Sequence, residues 1–300
     1  MPPFSTMRNL VLIDKNNLGR RSNAQSVLKT SSGFQTQAVF GFIRTLISLK
    51  KEYRDRDFIV LDDGRADFRF NLYPAYKGNR KPLTPAKQAE LNAYTAQKPF
   101  IDQAVYLLGI ARLCASNYEA DDLAGLLCSK RGNREVTLVS GDKDWLLLID
   151  KGVEWFDPKT KVHINHLNFQ GKTGVFTPEQ FLFKKCLMGD TSDNINGVGG
   201  IGEERATDMA LHYSNFNNFL LNKPRNRYEQ ALFDSKEKQE TFKRNLLLMN
   251  IRNPQIDTSK TYMSKGKFEE DAFYKLCENL EFNSFLAHFD IFETLFSKGN

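Results

Sequence analysis

Apolar residues follow two alternating rhythms along this chain. Leu10–Asp14 reads LVLID, a short apolar run that ends abruptly on an acid. Phe58–Asp62 (FIVLD) and Val136–Ser140 (VTLVS) repeat the form, and Val153–Phe156 is a fourth such run. Short runs rich in branched aliphatic residues and bounded by polar ones predict buried strands. Between them the spacing changes. Within 34–49, Val39, Phe42, Ile43, Leu46 and Ile47 recur three and four apart, which predicts a helix with one buried face. Residues 15–32 are polar and basic and read as a loop, whereas Ile101–Leu113 reads as a helix packed on the body. The strand–helix alternation predicts an α/β fold: a mostly parallel central sheet with helices on both faces.

Residues 73–98 break the rhythm. Pro74, Pro82 and Pro85 interrupt a basic stretch that carries Tyr73, Tyr76 and Tyr94. It reads as an exposed excursion from the sheet with helical content in its later half. After about residue 176 the strand signals fade. Thr177-Pro178-Glu179-Gln180 is a capping box with Pro in the first turn, and it predicts a helix to about Met188. A glycine-rich loop follows, then helices at about Glu203–His212, Phe242–Met249 and Ala272–Leu280. A soft boundary near 176 therefore separates an α/β body, 1–176, from a helical part, 177–300.

Five acidic segments stand out against this frame: Asp14, Asp62, then Glu119, Asp121 and Asp122 (YEADD), Asp142 and Asp144 (SGDKDW), and Asp190 and Asp193 (MGDTSDN). Three of them lie at or just after apolar runs, and the strand ends of an open parallel sheet line one crevice. Adjacent residues on a strand point to opposite faces, so only one of Asp62 and Asp63 enters that crevice, and the choice of Asp62 rests in part on the resemblance described below. Two carboxylates about 5 Å apart repel by roughly 3 kcal/mol at an effective dielectric near 20. Hard divalent cations remove that repulsion, so the pattern points to a magnesium-type site. One acid in YEADD would also suit a helix N-terminus, and SGD is common in solvated turns.

Net charge changes the picture further. The chain carries +6, with 42 Lys and Arg against 36 Asp and Glu. Setting the nine carboxylates aside leaves the rest of the molecule at about +15, a basic body around an acidic pocket, which suits a polyanion held outside the metal site. Tyr76, Lys77 and Arg80 in YKGNR supply an aromatic and two cations. Gly197, Gly199, Gly200 and Gly202 precede a helix whose free N–H groups would seat a phosphate. The four cysteines form no C-x-x-C pair and read as reduced thiols in a cytoplasmic protein. No run of 18 apolar residues predicts a membrane span, and MPPFSTMRNL has no apolar signal core.

In order and spacing, LVLID, IVLDD…YPAYKGNR, YEADD, SGDKDW and MGDTSDNINGVGGIG resemble the structure-specific 5′ nucleases, the flap endonucleases and 5′→3′ exonucleases, and most nearly those of the bacteriophage type. The resemblance covers about residues 8–210. It implies a helical arch at about 73–100 over the active site and a helix–three-turn–helix at about 177–212 that grips duplex DNA. It places all nine carboxylates on metal-ligand positions for two Mg²⁺, with Mn²⁺ able to substitute. It places Lys77 and Arg80 against the scissile phosphate, and Tyr76, Arg21, Lys185, Arg205 and the four glycines on the DNA, with a K⁺ held by backbone carbonyls of the glycine loop. The implied substrates are branched or 5′-ended DNA and, among phage relatives, primer RNA in RNA–DNA hybrids. Replication proteins are implied partners of a monomeric enzyme.

Two residues depart from the family pattern: Lys15, where relatives commonly have a small residue, and Glu204, where a basic one is usual. Two other readings remain open from sequence, a non-catalytic DNA-binding protein that keeps the fold and a PIN-like ribonuclease.

Overall fold

Both faces of strand β1 (Leu10–Asp14) are covered, which is why its sequence is continuously apolar. Leu10 and Leu12 face one core, and Val11 and Ile13 face the other. The computed structural model describes residues 8–79, 83–252 and 256–297. β1 is the centre of a seven-stranded sheet with β2 (Asp57–Leu61), β3 (Ala111–Ala115), β4 (Val136–Val139), β5 (Val153–Asp157) and β6 (Val162–Ile164). A separate two-stranded ladder, β7 (Gly189–Asp190) with β8 (Ile195–Asn196), precedes the last strand of the main sheet, β9 (Thr261–Ser264). The order is β6-β5-β4-β1-β2-β3-β9, with β1 to β5 parallel and the two edge strands antiparallel.

The helices are α1 (Lys15–Asn23), α2 (Gln37–Glu52), α3 (Asp67–Leu72), α4 (Pro85–Leu107), α5 (Ala120–Ser129), α6 (Phe169–Thr173) and α7 (Pro178–Met188), then α8 (Glu203–Tyr213), α9 (Phe216–Leu221), α10 (Arg227–Phe233), α11 (Lys236–Met249), α12 (Glu270–Asn279), α13 (Asn283–Leu286) and α14 (Asp290–Phe296). α2, α4, α12 and α14 cover the Val11 face; α5, α7, α8 and α11 cover the Leu12 face. Each fully buried Leu, Ile or Phe on these faces contributes about 1.5–3 kcal/mol. Among the described residues, no helix is long and apolar enough to cross a membrane.

The structure corrects several expectations. Residues 15–23 are helical, not loop: the Asp14 carboxylate caps α1 by accepting from Asn17 N, and Leu18 is buried. The helix read at 101–113 ends at Leu107 and gives way to β3, whose Arg112 and Cys114 are only partly covered, so no continuous apolar run marks it. The part after 176 is not wholly helical, because β9 pairs with β3 at the sheet edge. Core clusters span residue 176: one runs from Leu10 to Ile251, and Phe273 and Phe292 share the other with α2 residues. Thr177 and Gln180 do form the capping box of α7. The later half of the 73–100 excursion is the front of α4, capped by Thr84 with Pro85 in the first turn.

Candidate functional site

The chain order reverses between β1 and β4, which lie side by side at the centre of the sheet. That is the switch point where an open α/β sheet leaves a crevice beyond its strand ends. Asp14 ends β1 there, buried, with Oδ2 accepting from Ser140 Oγ at 2.9 Å and Oδ1 from Asn17 N at 2.9 Å. Burial, and then the charge of Asp63, push its carboxyl up to about 7. Arg21 lies across the turn after β4: a Cβ at Gly141 would meet its Nη2 at 1.7 Å, so a larger residue there would have to displace the guanidinium. The Arg21 guanidinium is held by Asp157 at 2.6 Å.

The turn after β4 carries Asp142 and Asp144, with Asp144 in the first turn of a 3₁₀ segment rather than in an extended turn. Asp142 Oδ1 caps the following 3₁₀ turn by accepting from Asp144 N, and Trp155 Nε1 donates to Asp142 O at 3.1 Å. Burial and the neighbouring Asp144 push Asp142 up to about 6. Asp121, in the first turn of α5, accepts from Trp145 Nε1 at 2.6 Å. Burial, then Asp142 and Asp14, hold it well above the usual carboxylate range. The charge of Asp142 raises both Asp14 and Asp121, and that of Asp14 raises Asp121, so the three carboxyls form one electrostatic cluster.

A second group closes the cleft from the other side. The single Tyr76 O–H is shared between two acceptors, Glu119 Oε2 at 3.0 Å and Asp193 Oδ2 at 3.1 Å. Lys77 pairs with Glu119 and lies 3.8 Å from Asp193 Oδ2. Its φ of +56° and the Lys77 N to Asp193 O bond of 2.8 Å turn the side chain inward. Asp190 is held below its ordinary range, against its burial, by hydrogen bonds from Ser192. Tyr76, Glu119, Asp121, Asp144, Asp190 and Asp193 line one small cleft. Larger clefts lie elsewhere, one of them beside α1 with Arg21 and Arg44, so charge rather than size marks the site.

Not every predicted residue arrives. Asp122 is buried with both oxygens on Arg69 at 2.7 Å, and its Oδ2 also accepts from Glu119 N, so it braces α5 instead of facing the cleft. Asp62 Oδ2 binds Lys15 Nζ at 2.7 Å, and the adjacent Asp63 accepts from Ala120 N through Oδ1 at 2.8 Å. Lys185 lies inside the cleft, not on an outer DNA face: Asp144 and Asp190 both pair with it. Burial alone would lower the Lys185 ammonium, but the Asp144 charge outweighs it and raises its pKa. Arg80 lies outside the described residues. Arg69, Asn17 and Ser140 were missed. Their signal was position beside or opposite an acid, which only the register supplies.

The carboxylates form a hard-oxygen donor set, which fits Mg²⁺ or Mn²⁺ and no soft metal. Among the described residues, no three of them stand close enough as placed here to close around one ion. Arg69, Lys77 and Lys185 pair with them instead.

The glycine-rich loop lies between α7 and α8. Gly199 and Gly200 take positive φ, and Gly202 caps α8 without a side-chain hydrogen bond. Gly197 passes so close to α7 that a Cβ would meet Met188 O at 2.3 Å. Arg205 Nη1 donates to Gly200 O at 2.9 Å and its guanidinium stacks 3.6 Å over Tyr228. Lys238 Nζ donates to Gly199 O at 3.3 Å. The loop thus carries an exposed cation from α8, Arg205, and a half-buried one from α11, Lys238, beside its backbone.

Residues 9–175 match the model of the 5′-3′ exonuclease N-terminal, resolvase-like domain. The chain belongs to the 5′-3′ exonuclease family. Thermostable DNA polymerase I of Thermus filiformis is 31% identical over 287 residues, 95% of this chain and 33% of that protein. The chain therefore spans about a third of the length of the polymerases it matches. The bacteriophage T5 5′-exonuclease with zinc bound superposes with a TM-score of 0.72 at 26% identity, over 91% of this chain and 98% of that one. The T5 flap endonuclease in a complex with DNA and metal ions superposes with a TM-score of 0.70 at 26% identity, over 95% and 100%. This 5′-3′ exonuclease family chain thus resembles the T5 structures along nearly its whole length, α/β body and helical part together.

Proposed function

We propose that this chain is a metal-dependent, structure-specific 5′ nuclease, acting as a flap endonuclease and 5′→3′ exonuclease on branched or 5′-ended DNA during replication. The observation that carries the reading is the convergence of carboxylates from four separated segments, with Lys77, on the switch-point crevice. The complexes of the T5 relatives with metal ions and DNA support it.

Asp14, Glu119, Asp121, Asp142, Asp144, Asp190 and Asp193 are the residues that would hold two Mg²⁺, with Mn²⁺ as a substitute. Two such ions supply an activated water and neutralise charge on the attacking and leaving oxygens. The protein's own share is orientation and positive charge. Arg69 and Tyr76 fix Glu119, while Ser140 and Asn17 fix Asp14. Lys77 offers an ammonium to the phosphate as negative charge grows on it. Water oxygen bonds to phosphorus, the bond to the 3′ oxygen breaks, and the products are a 5′-phosphate and a 3′-hydroxyl. Asp14 and Asp142 must be ionised to serve.

The duplex would rest on the loop Gly197–Gly202 with Arg205. A K⁺ held by backbone carbonyls of this loop belongs to the same reading, but the carbonyls of Gly199 and Gly200 already accept from Lys238 and Arg205 and would have to exchange those donors for the ion. RNA–DNA hybrid cleavage, contact with replication proteins and a monomeric state belong to the same reading.

The deciding experiment compares a 5′-labelled flap, a nicked duplex and an RNA–DNA hybrid in Mg²⁺ and in EDTA. Cleavage of the flap in Mg²⁺ alone is expected. Tight binding without cleavage would instead favour a non-catalytic DNA-binding protein, and cleavage restricted to single-stranded RNA a PIN-like ribonuclease.

A further inference from the structure

One edge of the main sheet is left open. β6, at one end, has no exposed residue, whereas β9, at the other, leaves Tyr262 62% and Met263 43% exposed. Neighbours on a strand point to opposite faces, so neither face of β9 is covered there. Register shows where the backbone groups point. Leu113 O accepts from Asp62 N, so at Leu113 β3 turns its backbone groups toward β2. Arg112 and Cys114, on either side of it, turn theirs toward β9 and are the hydrogen-bonded partners of Ser264 and Tyr262. Met263 lies between those two, so its N–H and C=O point out of the sheet, as does the C=O of Thr261. Among the described residues no strand lies beyond β9. Such a row of unpaired backbone groups is a template for one more strand.

Charge selects the occupant. Residues 258–268 carry Lys260, Lys265 and Lys267 and no acid, and all three lysines are exposed. Lys260 lies 3.9 Å from Asp257, and among the described residues Lys265 and Lys267 have no ion pair. Lysines guard an open edge against self-pairing. A second copy laid antiparallel on β9 would bring three cations from each chain into one short ladder, whereas an acidic strand meets attraction. Side chains refine the choice. Met263 is registered opposite Leu113 and shares the α5 side with it, and Tyr262 lies on the other face. The middle of β9 thus offers two apolar contacts, with Lys260 at one end and Lys265 and Lys267 at the other. We propose that the outer edge of β9 docks an extended segment of another protein, apolar at its centre and acidic at both ends, which joins the sheet through the backbone of Thr261 and Met263. None of these residues lines the acidic cleft, so the proposal does not rest on the nuclease reading.

The test uses the full chain without nucleic acid and a labelled peptide, Glu-Glu-Val-Thr-Val-Glu-Glu with blocked ends, followed by fluorescence anisotropy and by hydrogen exchange at the Met263 N–H. Saturable binding that slows this exchange and weakens with added salt is expected. Met263→Pro removes only the outward N–H, so it is expected to melt normally and to weaken binding about tenfold or more. Two further arms do not need the proline to fold. The double variant Lys265→Glu, Lys267→Glu is expected to lose about tenfold in affinity, and so is the unaltered protein toward a peptide N-methylated at its three central residues. Absence of binding to the unaltered protein would overturn the proposal, and so would binding indifferent to both the charge reversal and the N-methylation. A dimer in sedimentation that Met263→Pro dissolves would assign the edge to a second copy and overturn the acidic occupant.

Discussion

Arg69 grips Asp122 with both arms: Nη1 stands 2.7 Å from Oδ2 and Nη2 2.7 Å from Oδ1, with the side chains 4% and 2% exposed. The same guanidinium reaches Glu119 at 3.2 Å and Leu248 O at 2.8 Å, so one residue of α3 braces α5 and ties it to α11. Asp122→Asn leaves a buried cation half paired, which costs about 3–5 kcal/mol. A fall in melting temperature of about 10 °C is expected by calorimetry in EDTA. Mn²⁺ stoichiometry is expected to survive. A variant that melts normally but has lost an ion would return Asp122 to the ligand set.

Lys77 differs from Arg69 in being reachable, with its side chain 18% exposed at the cleft. A cation beside the reacting phosphate stabilises the charge that develops there more than it stabilises bound substrate. Lys77→Ala is therefore expected to lower kcat on a 5′ flap by about 100- to 1000-fold with little change in KM. Single-turnover kinetics check it; a rise in KM with kcat intact would make Lys77 a binding residue only.

What the sequence revealed follows from how each segment is covered. β1, β2, β4 and β5 were readable because both faces of each are buried, which forces continuous apolar runs. β3 and β9 were not, because Arg112, Cys114, Tyr262 and Met263 are only partly covered or exposed near the sheet edge. The acids stood out as abrupt charges after such runs. Their partners did not: Arg69 is 53 residues from Asp122, and no local pattern links them. The choice between Asp62 and Asp63 was hidden for the same reason that β2 was visible. A strand apolar on both faces shows no alternation, so the run that ends at Leu61 does not say which of the two acids after it turns into the crevice.

Outside the cleft, Arg205 is exposed and stacked on Tyr228 beside the loop Gly197–Gly202. A side chain that neutralises one phosphate releases about one counterion on binding, so its loss reduces the salt dependence of affinity by about one unit of slope. Arg205→Ala is expected to weaken duplex binding about equally across sequences and to flatten log Kd against log salt by that amount. Fluorescence anisotropy over a salt series measures both. An unchanged slope would remove Arg205 from the DNA interface.

The buried acids make metal binding depend on pH in a direction that can be worked out. Asp142 and Asp14 titrate at about 6 and about 7 in the folded chain, raised by burial and then by Asp144 and Asp63 respectively. A carboxyl raised in the folded state binds a proton that the unfolded chain has already released. Its contribution to stability is therefore full below about pH 4 and is lost as pH rises through about 6 to 7. In EDTA, Asp142→Asn is expected to destabilise the protein less at pH 8 than at pH 5 relative to the unaltered chain. A divalent ion must displace these same protons, so its affinity rises over the window in which metal-free stability falls. Calorimetric titration with Mn²⁺ at pH 6 in buffers of different ionisation enthalpy is expected to show proton release that disappears by pH 8.5. Asp142→Asn is expected to remove part of it. Buffer-independent heats at pH 6 would mean that the ion binds away from Asp14 and Asp142.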